Sequence, residues 1–316
     1  MQYVPLSDTG VLVSAACLGT DYYGSRTSST VAYALLDCFA EAGGTFIDTS
    51  NVYACWIPGF HGGESETTIG SWMAARQNRA RMFIGTKIGG QFPGTAGGLR
   101  AAEIEQECER SLKRLQTDAI DLYYAHIDDR QTPMEEILEA FHRLVQAGKV
   151  RFIGASNWFT WRLAEAGLLS DIHGWTRHAA LEFRHTYLRP NPHADFDPQV
   201  AADAQLLDYC RTSNVTLLAY SILLNGAYTR PDRPLPTEYL GPDSEARLST
   251  LRAVARETES SPNQVVIAWL RQGNPSILPI IGGSTTRQIT ENLHALTLVM
   301  TTEQMARLDQ AGIQQD

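Results

Sequence analysis

Four polar side chains stand where apolar segments of this chain end, at positions that packing alone does not explain. They are Asp48, Tyr53, Lys87 and His126. A tyrosine has an unperturbed pKa of about 10, too high for efficient acid catalysis near neutrality, but a neighbouring ammonium lowers that pKa by favouring the phenolate. A buried ammonium in turn needs a carboxylate partner. The set predicts proton transfer by Tyr53, tuned by Lys87 and Asp48, with His126 orienting the substrate oxygen.

Each of these residues also has a structural interpretation when it is taken alone. Lys87 could reach solvent from a strand end, and His126 could be a satisfied core histidine. Asp48 could cap the turn that follows it, and Tyr53 could simply pack. These separate structural interpretations do not explain why all four residues occur together. A different chemistry also stays open, because a lysine such as Lys87 can form a Schiff base with a carbonyl substrate.

Short β-rich runs alternate with longer helical runs along almost the whole chain, in eight strand–helix pairs. Nearly every strand is a continuous apolar run, which is typical of parallel strands covered on both faces. The pattern predicts an α/β fold, a (β/α)₈ TIM barrel in one domain over residues 1–316, with its active site at the carboxyl ends of the strands. The pairs are Ala15–Leu18 with Ser29–Ala42, Thr45–Asp48 with Glu64–Arg76, Met82–Lys87 with Ala101–Leu115, Ala119–His126 with Pro133–Ala147, Phe152–Ser156 with Thr160–Leu169, Ala179–Phe183 with Pro198–Cys210, Val215–Ser221 with Glu245–Glu257, and Ile277–Ile281 with Thr286–Leu296.

Three segments fall outside this count. Pro262–Arg271 and Thr302–Gln310 are predicted as two additional helices, and the proline-containing segment Ile222–Pro242 is too long for an ordinary connection, which is typical of functional loops. The alternative fold is a doubly wound sheet. That fold usually carries G-x-G-x-x-G after its first strand, and the chain contains no such string.

Composition excludes several classes of protein. The net charge of −9 gives no basic face for nucleic acid, and no run approaches the roughly 18 apolar residues of a membrane span. The N-terminal residues do not resemble a signal peptide, so the cytoplasm is the predicted location. The five scattered cysteines form no CxxC motif, so neither a disulfide framework nor a metal site is predicted. The oligomeric state, monomer or homo-oligomer, stays open.

Three motifs carry a resemblance to a known family. The segment from Gly44 to Tyr53 resembles the aldo-keto reductase signature around its catalytic aspartate and tyrosine. Gly85-Thr86-Lys87 is similar to the lysine strand of that family, and Asp121 to His126 is similar to its histidine strand. The resemblance extends from Leu18 to Asn292. It implies hydride transfer between a nicotinamide cofactor and a carbonyl carbon, with Tyr53 as general acid.

The same resemblance implies a cofactor site. Ser156, Asn157 and Glu182 would hold the nicotinamide carboxamide, although the family usually has glutamine where this chain has Glu182. Tyr220 would stack on the nicotinamide ring. Taken without the family, Ser156-Asn157 and Ser284 would be helix caps. The further residues implied at the cofactor are Gly19, Thr20, Asp48, Ser221, Leu223, Asn225, Gly282, Ser284, Arg287, Gln288, Glu291 and Asn292.

NADP(H) and NAD(H) are both allowed, with a slight preference for NADPH because Arg287 is cationic in the adenosine loop. Thr285 stands there where many relatives carry a lysine or arginine.

Loops near Tyr53 predict the substrate pocket. Aromatic rings beside carboxylates and histidine suit a sugar or another polar carbonyl compound, and the alternative is that the rings only pack the loops together. The chain would then be a carbonyl reductase or an alcohol or sugar dehydrogenase. A second possibility is a nucleotide-binding regulatory subunit that resembles the barrel subunits of potassium channels. The residues predicted to line the pocket are Asp21, Tyr22, Trp56, Trp158 and Tyr228.

Overall fold

Eight parallel strands close into a barrel in the computed structural model, which describes residues 1–312. The strands follow one another around the barrel in chain order, and the last pairs with the first. The predicted TIM-barrel fold is confirmed. The barrel strands are β3 (Cys17–Gly19), β4 (Phe46–Asp48), β5 (Phe83–Ile88), β6 (Ile120–Ala125), β7 (Val150–Ser156), β8 (His178–Arg184), β9 (Thr216–Tyr220) and β10 (Leu278–Ile281).

Helices cover the outside of the barrel, and their apolar faces pack against the strands. Their bounds follow the predicted periodicity closely, and Pro262 and Thr302 open the two helices beyond the eight pairs, as predicted. The helices are α1 (Ser29–Glu41), α2 (Glu64–Arg76), α3 (Ala101–Leu115), α4 (Met134–Gln146), α5 (Thr160–His173), α6 (Ala204–Ser213), α7 (Pro242–Glu257), α8 (Pro262–Gln272), α9 (Thr286–His294) and α10 (Thr302–Gln310).

An N-terminal hairpin, which the sequence patterns did not predict, closes the base of the barrel. Its antiparallel strands are β1 (Tyr3–Pro5) and β2 (Leu12–Ser14). Leu6 and Val13 are fully buried against the side chains that fill the barrel interior. The hairpin therefore seals the end of the barrel opposite the carboxyl ends of the strands. The interior side chains are Cys17, Phe46, Phe83, Leu122, Tyr124, Ala180, Leu218 and Leu278.

The largest error in a predicted helix boundary is at the start of α6; α5 also ends four residues later than predicted, at His173, and α7 begins three residues earlier, at Pro242. The helix expected from Pro198 begins at Ala204, because Asp203 caps it by accepting a hydrogen bond from the Leu206 amide at 2.8 Å. The residues before it run instead along the rim of the barrel. There the amide of Val200 donates to Oδ1 of Asn157 at 3.1 Å. That rim segment is thereby tied to the end of β7.

Two features that the described residues lack bear on function. Within residues 1–312, no helix has the length and apolar character needed to cross a bilayer. In the same part of the chain, no group of three or more histidine, cysteine, aspartate or glutamate side chains is arranged to hold a metal ion.

Candidate active site

The predicted proton-transfer residues come together at the carboxyl ends of β4, β5 and β6. Asp48 ends β4, Lys87 is the penultimate residue of β5, and His126 directly follows β6. Parallel pairing aligns Asp48 with Gly85 and Lys87 with Tyr124, which sets the strand ends side by side. Tyr53 enters from the loop after β4.

Lys87 is the centre of this cluster. Its ammonium, which is fully buried, donates to Oδ2 of Asp48 at 2.5 Å, to the hydroxyl of Tyr53 at 2.9 Å and to the carbonyl of Thr49 at 3.0 Å. The Tyr53 hydroxyl donates to the same Asp48 oxygen at 3.2 Å. Burial works to lower the pKa of Lys87, but the carboxylates of Asp48 and Glu182 outweigh it and raise that pKa. Lys87 is therefore a permanent cation.

The pKa of Tyr53 moves in the direction opposite to the one predicted. Burial of the phenol, followed by the negative charges of Asp48, Asp21 and Glu182, raises the pKa of Tyr53 well above its usual range. The prediction that Lys87 makes Tyr53 unusually acidic is therefore wrong here, because the phenol is buried and more carboxyl than ammonium groups surround it. Tyr53 is protonated near neutrality, which is the state that a proton donor needs.

His126 lies beside the phenol as a neutral imidazole. Its ring centroid is 6.1 Å from that of Tyr53, and its Nδ1 lies 3.2 Å from Oγ of Ser50. Burial, followed by the charge of Lys87, lowers the pKa of His126 to about 3. Because Oγ of Ser50 already accepts from the Val52 amide, we assign its hydrogen to the bond with Nδ1. That bond places the ring hydrogen of His126 on Nε2.

Aromatic rings flank the phenol at the mouth of the barrel. The ring of Trp56 lies 6.1 Å from that of Tyr53 and 6.3 Å from that of Tyr22, in edge-on contacts. Trp56 is 50% exposed and Tyr22 is 40% exposed. Asp21, whose charge acts on Tyr53, is also exposed. These three residues therefore lie beside the predicted proton donor.

Trp158 and Tyr228 do not lie at that mouth, and their prediction as lining residues is corrected. Trp158 has no exposed surface, and its ring packs edge-on against His178 at 5.7 Å. The hydroxyl of Tyr228 lies 2.7 Å from Oγ1 of Thr186 and accepts from the Leu188 amide at 3.2 Å. Both rings pack elements together, which was the alternative interpretation of these aromatic residues.

Asn157 links three elements around the cluster. Its Nδ2 donates to the His126 carbonyl at 3.0 Å, and its Oδ1 accepts from the hydroxyl of Tyr220 at 2.8 Å. The preceding Ser156 donates from Oγ to the carbonyl of Glu182 at 2.7 Å. Helix α5 is instead preceded by Phe159, without any side-chain cap. The interpretation of Ser156-Asn157 as a helix cap is therefore wrong.

Glu182 lies with the charged cluster. Its Oε1 is 3.3 Å from Nζ of Lys87, and the residue is 3% exposed. The carboxyl faces Lys87 and Asp48 inside the barrel, and its contact with a carboxamide of the cofactor stays a prediction. Glu182 is therefore a further member of the charged cluster, in which the family resemblance did not place it.

Comparison with known proteins agrees with this arrangement. The model of the aldo/keto reductase family matches residues 15–313. The chain belongs to the aldo/keto reductase family.

Among the relatives of this aldo/keto reductase, norsolorinic acid reductase stcV of Emericella nidulans is 30% identical over 320 residues, which cover 95% of this chain and 78% of the relative. Aryl-alcohol dehydrogenase GME11368 of Pestalotiopsis microspora is 28% identical, over 95% of this chain and 79% of the relative. The uncharacterized oxidoreductase YrpG of Bacillus subtilis is 29% identical, over 98% of this chain and 95% of the relative.

Aldo/keto reductases are oxidoreductases that use nicotinamide cofactors and act on small-molecule carbonyl substrates. In this chain, the loop after β9 has a backbone conformation that could bind the phosphates of such a cofactor. Ser221, Leu224 and Asn225 have φ values of 56°, 46° and 56°. Leu223, at φ −107° and ψ 7°, directly precedes two of these left-handed residues. Right-handed and left-handed residues in succession form a backbone concavity that binds anions. Such φ values are costly for residues other than glycine, so the loop is held in this shape by its surroundings.

The N-terminus of α9 also suits a phosphate of this cofactor. Thr285 caps the helix by accepting from the Gln288 amide, so the alternative that Ser284 is the cap is wrong. Ser284 instead donates from its amide and hydroxyl to Oε1 of Gln288, at 2.7 and 3.1 Å. Arg287 is exposed in the first turn. A helix N-terminus with an exposed guanidinium attracts negative charge.

The remaining residues predicted at the cofactor make contacts that hold the backbone at the ends of β3, β4 and β10. Nδ2 of Asn292 donates to the Gly282 carbonyl at 3.0 Å, and Oε1 of Glu291 accepts from Ser261 at 2.9 Å. The first bond holds the segment between β10 and α9, and the second joins α9 to the start of α8. Gly19 pairs in register with Asp48, and Oγ1 of Thr20 donates to the Asp48 carbonyl at 2.7 Å.

Proposed function

We propose that this aldo/keto reductase reduces aromatic aldehydes or ketones, with Tyr53 as the general acid. One observation carries the proposal: a buried ammonium, Lys87, donates both to a carboxylate and to the phenol at the carboxyl end of the barrel. A protonated phenol that faces the mouth and contacts a fixed cation is suited to give up its proton as negative charge develops on a carbonyl oxygen.

The residues of the chain divide the work between them. The nicotinamide cofactor supplies the hydride when it is bound. Tyr53 gives the proton from Oη to the carbonyl oxygen, and Lys87 stabilises the phenolate that remains. The Nε2 hydrogen of His126 donates to the same carbonyl oxygen and orients it. Because His126 is neutral, it positions the substrate without adding a charge that would compete with Lys87.

Two features favour aromatic substrates. The exposed rings of Trp56 and Tyr22 lie next to the phenol and offer edges and faces on which another ring can pack. Two of the similar proteins are named norsolorinic acid reductase and aryl-alcohol dehydrogenase, and the second name states an aromatic substrate. The carboxylate of Asp21 at the same mouth suits a substrate hydroxyl near the carbonyl, so sugars are the class to compare.

A substrate panel tests this function. The purified chain alone should turn over aromatic aldehydes with at least one nicotinamide cofactor, and kcat/KM should exceed that for aldoses. Trp56→Ala should lower kcat/KM for aromatic aldehydes by about two- to tenfold, since an aromatic contact contributes about 0.5–1.5 kcal/mol, and should change the value for aldoses little.

The control is Tyr3→Ala, which removes a ring of similar exposure, 49%, at the base of the barrel. Higher kcat/KM for aldoses would replace the aromatic proposal with the sugar one. Absence of turnover with every carbonyl compound would favour a nucleotide-binding regulatory subunit instead.

We further propose that both cofactors are accepted, with NADPH slightly favoured. A 2′-phosphate is best held by charge-assisted hydrogen bonds, each contributing about 1.5–3 kcal/mol. Arg287 is exposed at the start of α9, whereas Oγ1 of Thr285 is engaged in capping. The preference for NADPH in kcat/KM should therefore lie below about a thousandfold, or roughly 4 kcal/mol.

Arg287→Ala should remove most of that preference, while Arg211→Ala, which changes an exposed arginine on α6, should leave it unchanged. A preference for NADPH above a thousandfold that survives in Arg287→Ala would show that a different cation reaches the phosphate.

A further inference from the structure

Two buried carboxyl groups share one ammonium beneath the phenol. Lys87 Nζ lies 2.5 Å from Oδ2 of Asp48 and 3.3 Å from Oε1 of Glu182, and the side chains of the two acids are 1% and 4% exposed. Two ionised carboxylates and one ammonium would leave a net negative charge in the dry interior of the barrel. Such a charge is costly, and closely placed carboxyl groups avoid it by retaining one proton between them.

The hydrogen bonds of the pair show where that proton fits. Oδ1 of Asp48 and Oε2 of Glu182 are both buried without a hydrogen-bond partner. Both acids contact the same ammonium, so their carboxyl groups lie close together. Two ionised carboxylates can only accept, so neither oxygen could satisfy the other. A single hydrogen between them satisfies both.

Lys87 is the basic group that acts on the carboxyl of Glu182. Burial, followed by the charge of Asp48, raises the pKa of Glu182 well above its usual range, and Lys87 opposes that shift only in part. Asp21 at the mouth of the barrel is a third carboxyl, which interacts with Asp48. Four further titratable groups that face the pair are neutral acids. They are the thiol of Cys17 on β3, the phenol of Tyr53, the hydroxyl of Tyr124 on β6 and the hydroxyl of Tyr220 on β9.

We propose that Glu182 is protonated at neutral pH and donates its hydrogen from Oε2 to Oδ1 of Asp48. Asp48 is the ionised partner, because its Oδ2 makes the shorter contact with Lys87 and also accepts from Tyr53. Glu182 is thus a positioning residue that acts through Asp48.

This proton bears on the acid step, and here the inference rests on the proposed function of Tyr53. The charges of Asp48 and Glu182 both raise the pKa of Tyr53. A hydrogen held between the two acids removes one of these charges and draws electron density from the other. The phenolate that Tyr53 becomes after it donates is then less strongly opposed. Loss of the hydrogen would make Tyr53 a weaker acid.

Infrared spectroscopy of the purified full-length chain tests the protonation state without any turnover. At neutral pH the protein should show a carboxylic-acid C=O band that shifts when the chain is made with ¹³C-labelled glutamate. Glu182→Gln should abolish the band. Glu66→Gln, a change at a buried glutamate paired with Arg114, should leave it unchanged. Labelled wild-type protein gives the answer even if a variant does not fold, and absence of a shifting band overturns the proposal.

Kinetics test what the proton does. Glu182→Leu leaves Oδ1 of Asp48 without a donor, so it should lower kcat for carbonyl reduction about tenfold and raise the pKa in the pH profile of alcohol oxidation by about one unit. Glu182→Gln keeps an N–H donor toward Asp48 and should recover most of that loss.

The direction in which this pKa of the pH profile shifts distinguishes a protonated Glu182 from an ionised one. If Glu182 were ionised, both variants would remove a negative charge and lower that pKa, which would contradict the proposal. Equal losses in both variants with an unshifted profile would show a purely structural role. A failure of Tyr53 as the acid would leave the infrared band in place, so the two proposals fail separately.

Discussion

Replacing Tyr53 with phenylalanine should lower kcat by about 10² to 10⁴, the usual contribution of a general acid, and should leave cofactor affinity nearly unchanged. The variant removes the hydroxyl that donates to Asp48 and accepts from Lys87 and keeps the ring that contacts Trp56. Proton donation fails, while the shape of the mouth persists. The measurement is kcat by steady-state kinetics, with cofactor binding followed by fluorescence titration.

Tyr123→Phe is the matched control. Tyr123 is fully buried on β6, and its hydroxyl makes one long bond, 3.5 Å, to the Ile104 carbonyl. The same atom is deleted from a buried tyrosine, and activity should persist. Retention of most of kcat in Tyr53→Phe would refute the assignment of Tyr53 as the acid.

Lys87→Met should also depress turnover by about 10² or more, because the ammonium stabilises the phenolate that forms as the proton leaves. Its loss leaves Asp48 and Glu182 buried without a cation. The pKa of Tyr53 should rise further. Alcohol oxidation needs the deprotonated phenol and increases as pH rises through that pKa, so its profile should move to higher pH.

Lys149→Met provides the comparison, since Lys149 forms an exposed ion pair with Glu109 on the surface and such pairs contribute little. Thermal unfolding separates a chemical loss from a folding defect, because removing one partner of a buried ion pair costs roughly 3–5 kcal/mol. Full activity with an unmoved profile in a folded Lys87→Met protein would make Lys87 a structural residue.

The barrel and the proton-transfer cluster were accessible from sequence for the same physical reason. Continuous apolar strands indicate a sheet covered on both faces, and polar residues at their ends, such as Asp48 and Lys87, have no packing reason to be there. Parallel strands bring those ends to one rim. Order along the chain was therefore enough to predict which side chains meet.

Other features depend on where side chains point, which the patterns do not encode. Trp158 and Tyr228 follow strand ends as Trp56 does, yet their rings turn into the packing between elements. Glu182 alternates into the barrel interior, where it meets Lys87. A glutamate in an otherwise apolar strand, Ala179–Phe183, was the available signal, and a buried charge of that kind needs a partner. The pKa of Tyr53 also required the full set of neighbouring charges.

The hairpin at the base of the barrel limits the routes by which protons can reach Tyr53. Leu6 and Val13 seal that end, and Phe46, Phe83 and Tyr124 fill the interior below the ammonium. Packed side chains therefore separate the phenol of Tyr53 from solvent at the base, and under the proposed function each proton consumed would arrive from the mouth, where the substrate would bind. While a substrate covers the mouth, Tyr53 would receive no proton from solvent. Under the proposed function, solvent would replace the proton that Tyr53 gives up once the alcohol has left, so product release and reprotonation would be coupled.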